Sequence, residues 1–280
     1  MSAADSVAAT APPARSGGVD WGPFMQWLIA RLGYPAAGIA SLLALWWLGG
    51  WAIANNPDTA SFAGFAPEPT FVRLVELLES GGVWAAAQPS LERIGLGLLW
   101  ASLIGVPVGV AIGLYASLRE ISHVPFQFLR MISPLAWMPV AVLAFDTWDA
   151  AIVFLVAVAA VWPVLFSSAQ GVRRIDPLWF KVARNLGADG FQMLRRIIFP
   201  AIAQDIFAGI RLAVGVAWIV LVPAEYLGVT SGLGYAINDA RDTLEYDTLA
   251  AMVLVIGVIG FALDGVCVTL IRRFSWHAES

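Results

Sequence analysis

The sequence predicts an all-α integral membrane protein with six transmembrane helices, and three observations carry that prediction. Of 280 residues, 59% are hydrophobic and only 13% charged, against roughly 25% charged in an average soluble domain; mean hydropathy is +0.77. The apolar residues gather into runs long enough to cross a hydrocarbon core about 30 Å thick, which takes about 20 helical residues. The basic residues fall unequally among the connecting segments, as they do in multi-span proteins. The same composition excludes a disordered chain, which needs low hydrophobicity and high net charge. A net charge of −4 provides no basic surface for nucleic acid. The single cysteine, Cys267, allows no disulfide within the chain and no cysteine-based metal cluster, and His123 and His277 are too far apart to suggest a histidine site.

Residues 1–20, rich in Ala, Ser, Pro and Gly, read as a disordered tail, residues 21–35 as an interfacial segment, residues 36–273 as the transmembrane domain and residues 274–280 as a C-terminal tail. The first span, 36–54, is closed by Asn55-Asn56-Pro57; it starts too late and runs too long for a signal peptide. In the second, 94–118, Gly105, Gly109 and Gly113 form two overlapping small-xxx-small steps suited to helix packing. The third, 121–145, contains Arg130, close enough to its end to snorkel, and two prolines, Pro134 and Pro139, with Trp137 between them. Prolines free backbone carbonyls, which are tolerated only against protein or a cavity. Pro134, Trp137 and Pro139 are therefore candidates to line a pathway, with a packing kink as the alternative.

The fourth span is 150–172. The fifth, 200–222, holds Asp205 and Arg211, and the sixth, 249–271, holds Asp264. Arg211 lies roughly 16 Å beyond Pro200 and Asp264 roughly 12 Å before Arg272, so the two reach similar depths. A charge within a span is costly. The expected solution is an Arg211–Asp264 clamp inside the bundle, with a substrate contact for Arg211 as the alternative. Glu225, in Val222-Pro223-Ala224-Glu225 at the outer end of the fifth span, is a candidate gate or local cap, and Pro223 is expected to break the helix there. Between spans, residues 71–79 suit a short amphipathic helix, and residues 223–248 read as turn-rich around Gly228, Gly232 and Gly234.

An even number of spans puts both termini on one side. That side carries Arg15, Arg31, Arg119, Arg173, Arg174, Lys181, Arg184, Arg195, Arg196, Arg272 and Arg273, and the other only Arg73, Arg93 and Arg241. The excess of basic residues makes the first side cytoplasmic.

The cytoplasmic segment 173–200 carries the most information. Asp176-Pro177 is a helix start, with Asp as N-cap and Pro at the first helical position. Residues 178–186 follow as a helix, and Gly187 suits the position just past its end. Asp189 and Gln192 resemble a capping box for a second helix, and Pro200 opens the fifth span or kinks its start. With Leu178, Trp179, Val182 and Leu186 apolar and Lys181 and Arg184 basic, the first helix can dock into a groove of a soluble partner; lying on the membrane surface is the alternative. Tethering between spans argues against a DNA-reading helix pair.

These residues resemble the EAA loop of bacterial ABC importer permeases: Glu-Ala-Ala, three residues, Gly, nine residues, Ile, one residue, Leu-Pro. Ala183, Gly187, Ile197 and Pro200 stand in register, while Lys181 replaces the Glu, Val182 the first Ala and Phe199 the Leu. The run Ala183-Arg184-Asn185-Leu186-Gly187-Ala188 looks like the branch serving nitrate, sulfonate and taurine. So do Ile132-Ser133-Pro134-Leu135-Ala136-Trp137-Met138-Pro139, Gly215-Val216-Ala217-Trp218-Ile219-Val220-Leu221-Val222 and Ser231-Gly232-Leu233-Gly234-Tyr235. The resemblance covers residues 67–273, within the binding-protein-dependent transport system inner membrane component family. It implies a MetI-like permease fold and an ATP-driven importer of a small anionic solute. The implied partners are a second permease chain, two cytoplasmic ATPases that bind the ATP and Mg, a periplasmic or lipid-anchored solute-binding protein, and membrane lipid. Leu178, Trp179, Lys181, Val182, Ala183, Arg184, Leu186, Gly187 and Pro200 would form the ATPase-coupling element. No P-loop, HExxH or Gly-x-Ser-x-Gly pattern occurs, so the chain supplies neither the ATPase nor another catalytic or cofactor site. An ion-gradient-driven secondary transporter, or an ABC permease for an unrelated small organic solute, stays open beside this reading.

Overall fold

The structure, a computed structural model, describes residues 31 and 33–274. The expectations for residues 1–20, for 21–30 and 32 of the interfacial segment and for 275–280 lie outside the described residues.

The elements follow in chain order. Helix α1 is Tyr34–Asn55, followed by a 3-10 segment Ala60–Phe65; α2 is Pro67–Glu79 and α3 is Gly82–Leu114. Helix α4 is Ala116–Met131, then a 3-10 turn Pro134–Trp137, α5 Met138–Ala144, α6 Trp148–Arg174 and α7 Pro177–Asn185. Helix α8 runs over Gly190–Gly228, α9 over Leu233–Asp242 and α10 over Tyr246–Phe274. Five of these (α1, α3, α6, α8 and α10) are unbroken helices long and apolar enough to span a membrane.

The expected third span is not a single rod. Helices α4 and α5 meet at 88°. Pro134 lacks an N–H to donate, and the residue before a proline is pushed out of the α region; Ile132 and Ser133 are extended, with ψ of 127° and 129°, whereas Met138 before Pro139 is helical. The sixth span exists only if this bent pair is counted as one. The second helix also departs from expectation. It begins at Gly82, twelve residues before the apolar run, and at 33 residues it is about 50 Å long. Hydropathy marks where a helix enters lipid, not where it starts.

The bundle is organised on α3, α6 and α8. Ile94, Ala101, Ile152, Leu155, Val156, Ala160, Val164, Ala213, Ala217 and Leu221 form the main core. Helices α3 and α6 approach closely because α3 presents glycine along the shared face. A Cβ on Gly109 would run into the Leu165 carbonyl, and one on Gly97 into Val156. This is the packing role the small-xxx-small steps predict.

Pro223 does not break α8, which continues to Gly228. One missing donor is tolerated because Val220, Leu221, Ala224 and Glu225 on either side are buried. The following segment is likewise less turn-rich than expected, since residues 233–242 are helical.

Candidate functional site

Two ends of the bundle carry the polar structure. At one end, α6 leads into α7 through Ile175-Asp176. Asp176 Oδ1 accepts from the Leu178 N–H at 2.8 Å, and Pro177 occupies the first turn, where no donor is needed. The helix closes in a Schellman motif: Gly187 N–H donates to the Arg184 carbonyl and Ala188 N–H to the Ala183 carbonyl, both at 3.0 Å. Gly187 has φ of 81°, the left-handed conformation in which glycine escapes the Cβ penalty. Ala183 is buried in a cluster with Val172, Met193, Ile198 and Ile202, and half-buried Phe180 packs against the same cluster, so α7 is clamped to the bundle along this face.

Its outer face is bare. Leu178, Trp179 and Val182 are more than half exposed and Leu186 is 82% exposed. Together with Asp176, Gln192 and Arg196 they line a groove of 640 Å³. Lys181 and Arg184 stand exposed on the same helix.

Asp189 Oδ1 accepts from Gln192 N–H at 2.7 Å and starts the next helix. That helix is not separate from the fifth span. It passes through a π-turn, Leu194–Ile198, in which Phe199 N–H donates to the Leu194 carbonyl five residues back, and continues to Gly228. Pro200, having no N–H of its own, follows the π-turn directly. The span's helix therefore starts ten residues before the position expected from Pro200, and α7 and α8 form one rigid corner.

At the opposite end lies a buried ionic network that the sequence did not disclose. Glu225 is 0% exposed and its carboxylate is saturated. It accepts from Ser90 Oγ (2.8 and 2.9 Å), Arg93 Nη1 (2.6 Å) and Gly234 N–H (3.0 Å). Arg93 is itself 5% exposed at the side chain and spreads its guanidinium over four acceptors: Glu225, Asp149 (2.6 Å), the Ser231 carbonyl (2.9 Å) and Ser231 Oγ (2.8 Å). Ser90 Oγ also accepts from Leu233 N–H. Gly232, at φ of 112°, lies so close to the Glu225 carboxylate that a Cβ would clash with it. Helices α3, α6 and α8 and the turn before α9 are thereby joined at one point. Glu225 lines no open space in this conformation. Ser90 and Arg93, both ahead of the apolar run that marks the second span, belong to a helix that extends beyond it. Their i, i+3 spacing on such a helix is the signal that could have found them.

Nearby, Arg73 on α2 donates to Glu76 (2.9 Å) and to Thr248 Oγ1 (2.8 Å). The Glu76 hydrogen bond, helped at longer range by Glu245 and Asp247 and opposed by burial, holds its guanidinium above the ordinary arginine value.

Within the spans, Arg211 and Asp264 do pair, bidentately at 2.7 and 2.9 Å. They do so on the surface of the protomer, at 45% and 51% side-chain exposure, not inside its bundle. The expectation of an internal clamp is corrected to an external one. Pro134 and Trp137 are half-buried at the α4–α5 break, Trp137 against the main core, and Pro139 is exposed in the first turn of α5. The structure brings these three together but leaves Arg211 and Glu225 apart from them.

The fold is thus a bundle of long apolar helices with a broken span and an exposed apolar helix at one end. The family described as binding-protein-dependent transport system inner membrane component matches residues 103–276. The bicarbonate transport system permease protein CmpB of Synechococcus elongatus is 35% identical over 239 residues, covering 82% of this chain and 84% of that one. The taurine transport system permease protein TauC of Escherichia coli is 33% identical over 250 residues, covering 86% and 88%. The nitrate import permease protein NrtB of Leptolyngbya laminosa is 31% identical over 186 residues, covering 66% of each. In fold, the chain is similar to a chain of the inward-facing MetNI methionine ABC transporter, with TM-score 0.55, 15% identity, and coverage of 74% of this chain and 98% of that chain. The chain belongs to the binding-protein-dependent transport system inner membrane component family. It is therefore a multi-pass inner membrane permease that works with a separate ATPase and a solute-binding protein, and it is not itself the ATPase.

Proposed function

We propose that two copies of this chain form the pathway of an ATP-driven importer for a small oxyanion-bearing solute, with both termini cytoplasmic. The observation that carries the coupling half of this reading is α7: a capped, clamped helix whose apolar face is bare. An exposed apolar face of this kind fits a groove on a partner, and the ATPase is the partner the family supplies. Leu178, Trp179, Val182 and Leu186 would seat in that groove, Lys181 and Arg184 would meet its rim, and Ala183, Gly187 and Pro200 would keep the corner stiff. ATP and Mg would be held by the two ATPase subunits. The solute would arrive from a periplasmic or lipid-anchored binding protein, and lipid would cover the outer faces; nucleic acid has no part.

ATP-driven closure of the ATPase dimer would move the two α7 helices together, and α8, continuous with their corner, would transmit the motion into the spans. Pro134, Trp137 and Pro139 would line or hinge the pathway at the α4–α5 break. Arg211–Asp264 would face the partner protomer or the pathway, because a half-exposed ion pair is costly against lipid. Glu225 would hold the outer end as a latch. Bicarbonate, nitrate and taurine, named in three relatives, support an oxyanion-bearing solute; bicarbonate was not among the solutes the sequence suggested.

The test is uptake in vesicles carrying the permease, the cognate ATPase and the cognate binding protein, with labelled bicarbonate, nitrate, taurine and an alkylsulfonate. Uptake of one of these that requires ATP and the binding protein is expected. Uptake by the permease alone, driven by an ion gradient, or of none but an uncharged solute, refutes the proposal.

A further inference from the structure

The end of the bundle that carries α7 also holds a basic cleft between α4 and α6. Arg119, His123 and Arg130 occupy one face of α4, at i, i+4 and i+11, and Arg173 and Arg174 lie in the last turn of α6. All five line one cleft of 490 Å³, and no carboxylate is among its lining residues. Among the described residues, Arg174 alone of the five has an acidic partner, Asp205 at 2.9 Å. Gln127 and Gln170 add neutral donors, while Ile112, Phe126 and Ala169 make the apolar wall. Aromatic contacts bridge the two helices: Phe126 meets Trp162 edge-on at 5.5 Å, and the Arg130 guanidinium lies over the Phe166 ring at 5.3 Å.

Basic residues that serve only to orient a chain fan outward, where water and headgroups screen each from the next. Here five of them line one cleft between two helices, and the Arg130 guanidinium is held over the Phe166 ring. Like charges gathered along one cleft repel, and a bound anion relieves the repulsion. Guanidinium forks match oxyanions in shape and charge.

We propose that this cleft is an anion-binding site for a phosphate-like or smaller oxyanion group. Two sources offer that chemistry: the headgroup of an anionic phospholipid in the adjacent leaflet, and a free oxyanion in solution. The site does not depend on which solute the importer carries.

The experiment uses the purified complex in phosphatidylcholine nanodiscs, with wild type compared with Arg119→Gln/Arg130→Gln/Arg173→Gln and with Arg195→Gln, a basic residue of the same end outside the cleft. One arm titrates phosphatidylglycerol and follows its retention by native mass spectrometry; the other titrates nitrate and inorganic phosphate by calorimetry. Affinity for one of these probes should fall at least tenfold in the triple variant and less than twofold in Arg195→Gln; the arm that responds names the source. If the triple variant fails to insert, Arg130→Gln and Arg173→Gln singly should each weaken the same probe at least threefold. Equal binding of both probes by wild type and the cleft variants overturns the proposal, and so does binding of neither probe by wild type.

Discussion

Replacing Glu225 by alanine removes the acceptor that ties α8 to α3 and to the start of α9. Ser90 Oγ, Arg93 Nη1 and Gly234 N–H all lose a partner in a place closed to water. A buried donor left unsatisfied costs about 1–3 kcal/mol, and removing one member of a buried ion pair costs about 3–5 kcal/mol. These figures overlap and do not add, because Arg93 keeps Asp149 and Ser231. The expected loss is therefore about 3–5 kcal/mol, with Glu225→Gln losing less because an amide oxygen still accepts.

The assay is denaturant unfolding of the purified permease in detergent, run as a double-mutant cycle with Arg93→Met. In the double variant the buried charge has gone with its partner, so the two single losses should fail to add by at least about 1.5 kcal/mol. Exposed Arg241 and Asp242, paired at 2.7 Å, provide the control cycle, with coupling under about 1 kcal/mol. An unfolding midpoint for Glu225→Ala equal to wild type, or additive losses with Arg93→Met, would refute the reasoning that this network holds the outer end.

Three further outcomes are expected. Gly187→Pro forces φ to about −65° where the structure has 81° and deletes the N–H given to the Arg184 carbonyl; in reconstituted vesicles it should cut uptake at least tenfold while ATP hydrolysis persists, and normal uptake would sink the coupling role of α7. Lys181→Glu restores the residue type that the EAA pattern carries at this position and reverses an exposed charge; if Lys181 meets an acidic rim, pulldown of the cognate ATPase should weaken several-fold, and unchanged capture counts against the contact. Gly109→Leu drives a side chain into the Leu165 carbonyl and Ser168 at the α3–α6 contact; the variant should not accumulate as folded protein in the membrane, whereas Gly95→Leu, which meets nothing within 4 Å, should.

How much of this was readable from the chain depends on the range of the physics involved. The caps of α7, the Gly187 turn and the α3–α6 glycine face were legible because each is fixed within a few residues, by an Asp-Pro pair, a left-handed position or a four-residue period. The Arg211–Asp264 pair was legible too, since equal depth on two neighbouring spans follows from counting rises of 1.5 Å. The side of the protomer it faces was not, because that depends on how α8 and α10 rotate about their axes. The π-turn before Pro200 was missed because a proline reads as a start or a kink, whereas the helix absorbed the lost bond by reaching one residue further back.

Arg93 and Ser90 were missed for a more general reason. Positive charge outside an apolar run is treated as solvated, and here α3 extends well past that run and carries both into the protein. Burying a guanidinium is tolerable only where every donor is met, and the four acceptors that meet it come from residues 149, 225 and 231. No local pattern encodes contacts separated by 56 to 138 residues. What the sequence does carry is the consequence: glycines at 232 and 234, where the turn must press its backbone against a carboxylate. From the sequence those glycines read only as turn residues. Their crowding against Glu225 shows that they serve close approach, and it leaves this turn no room for a side chain at either position.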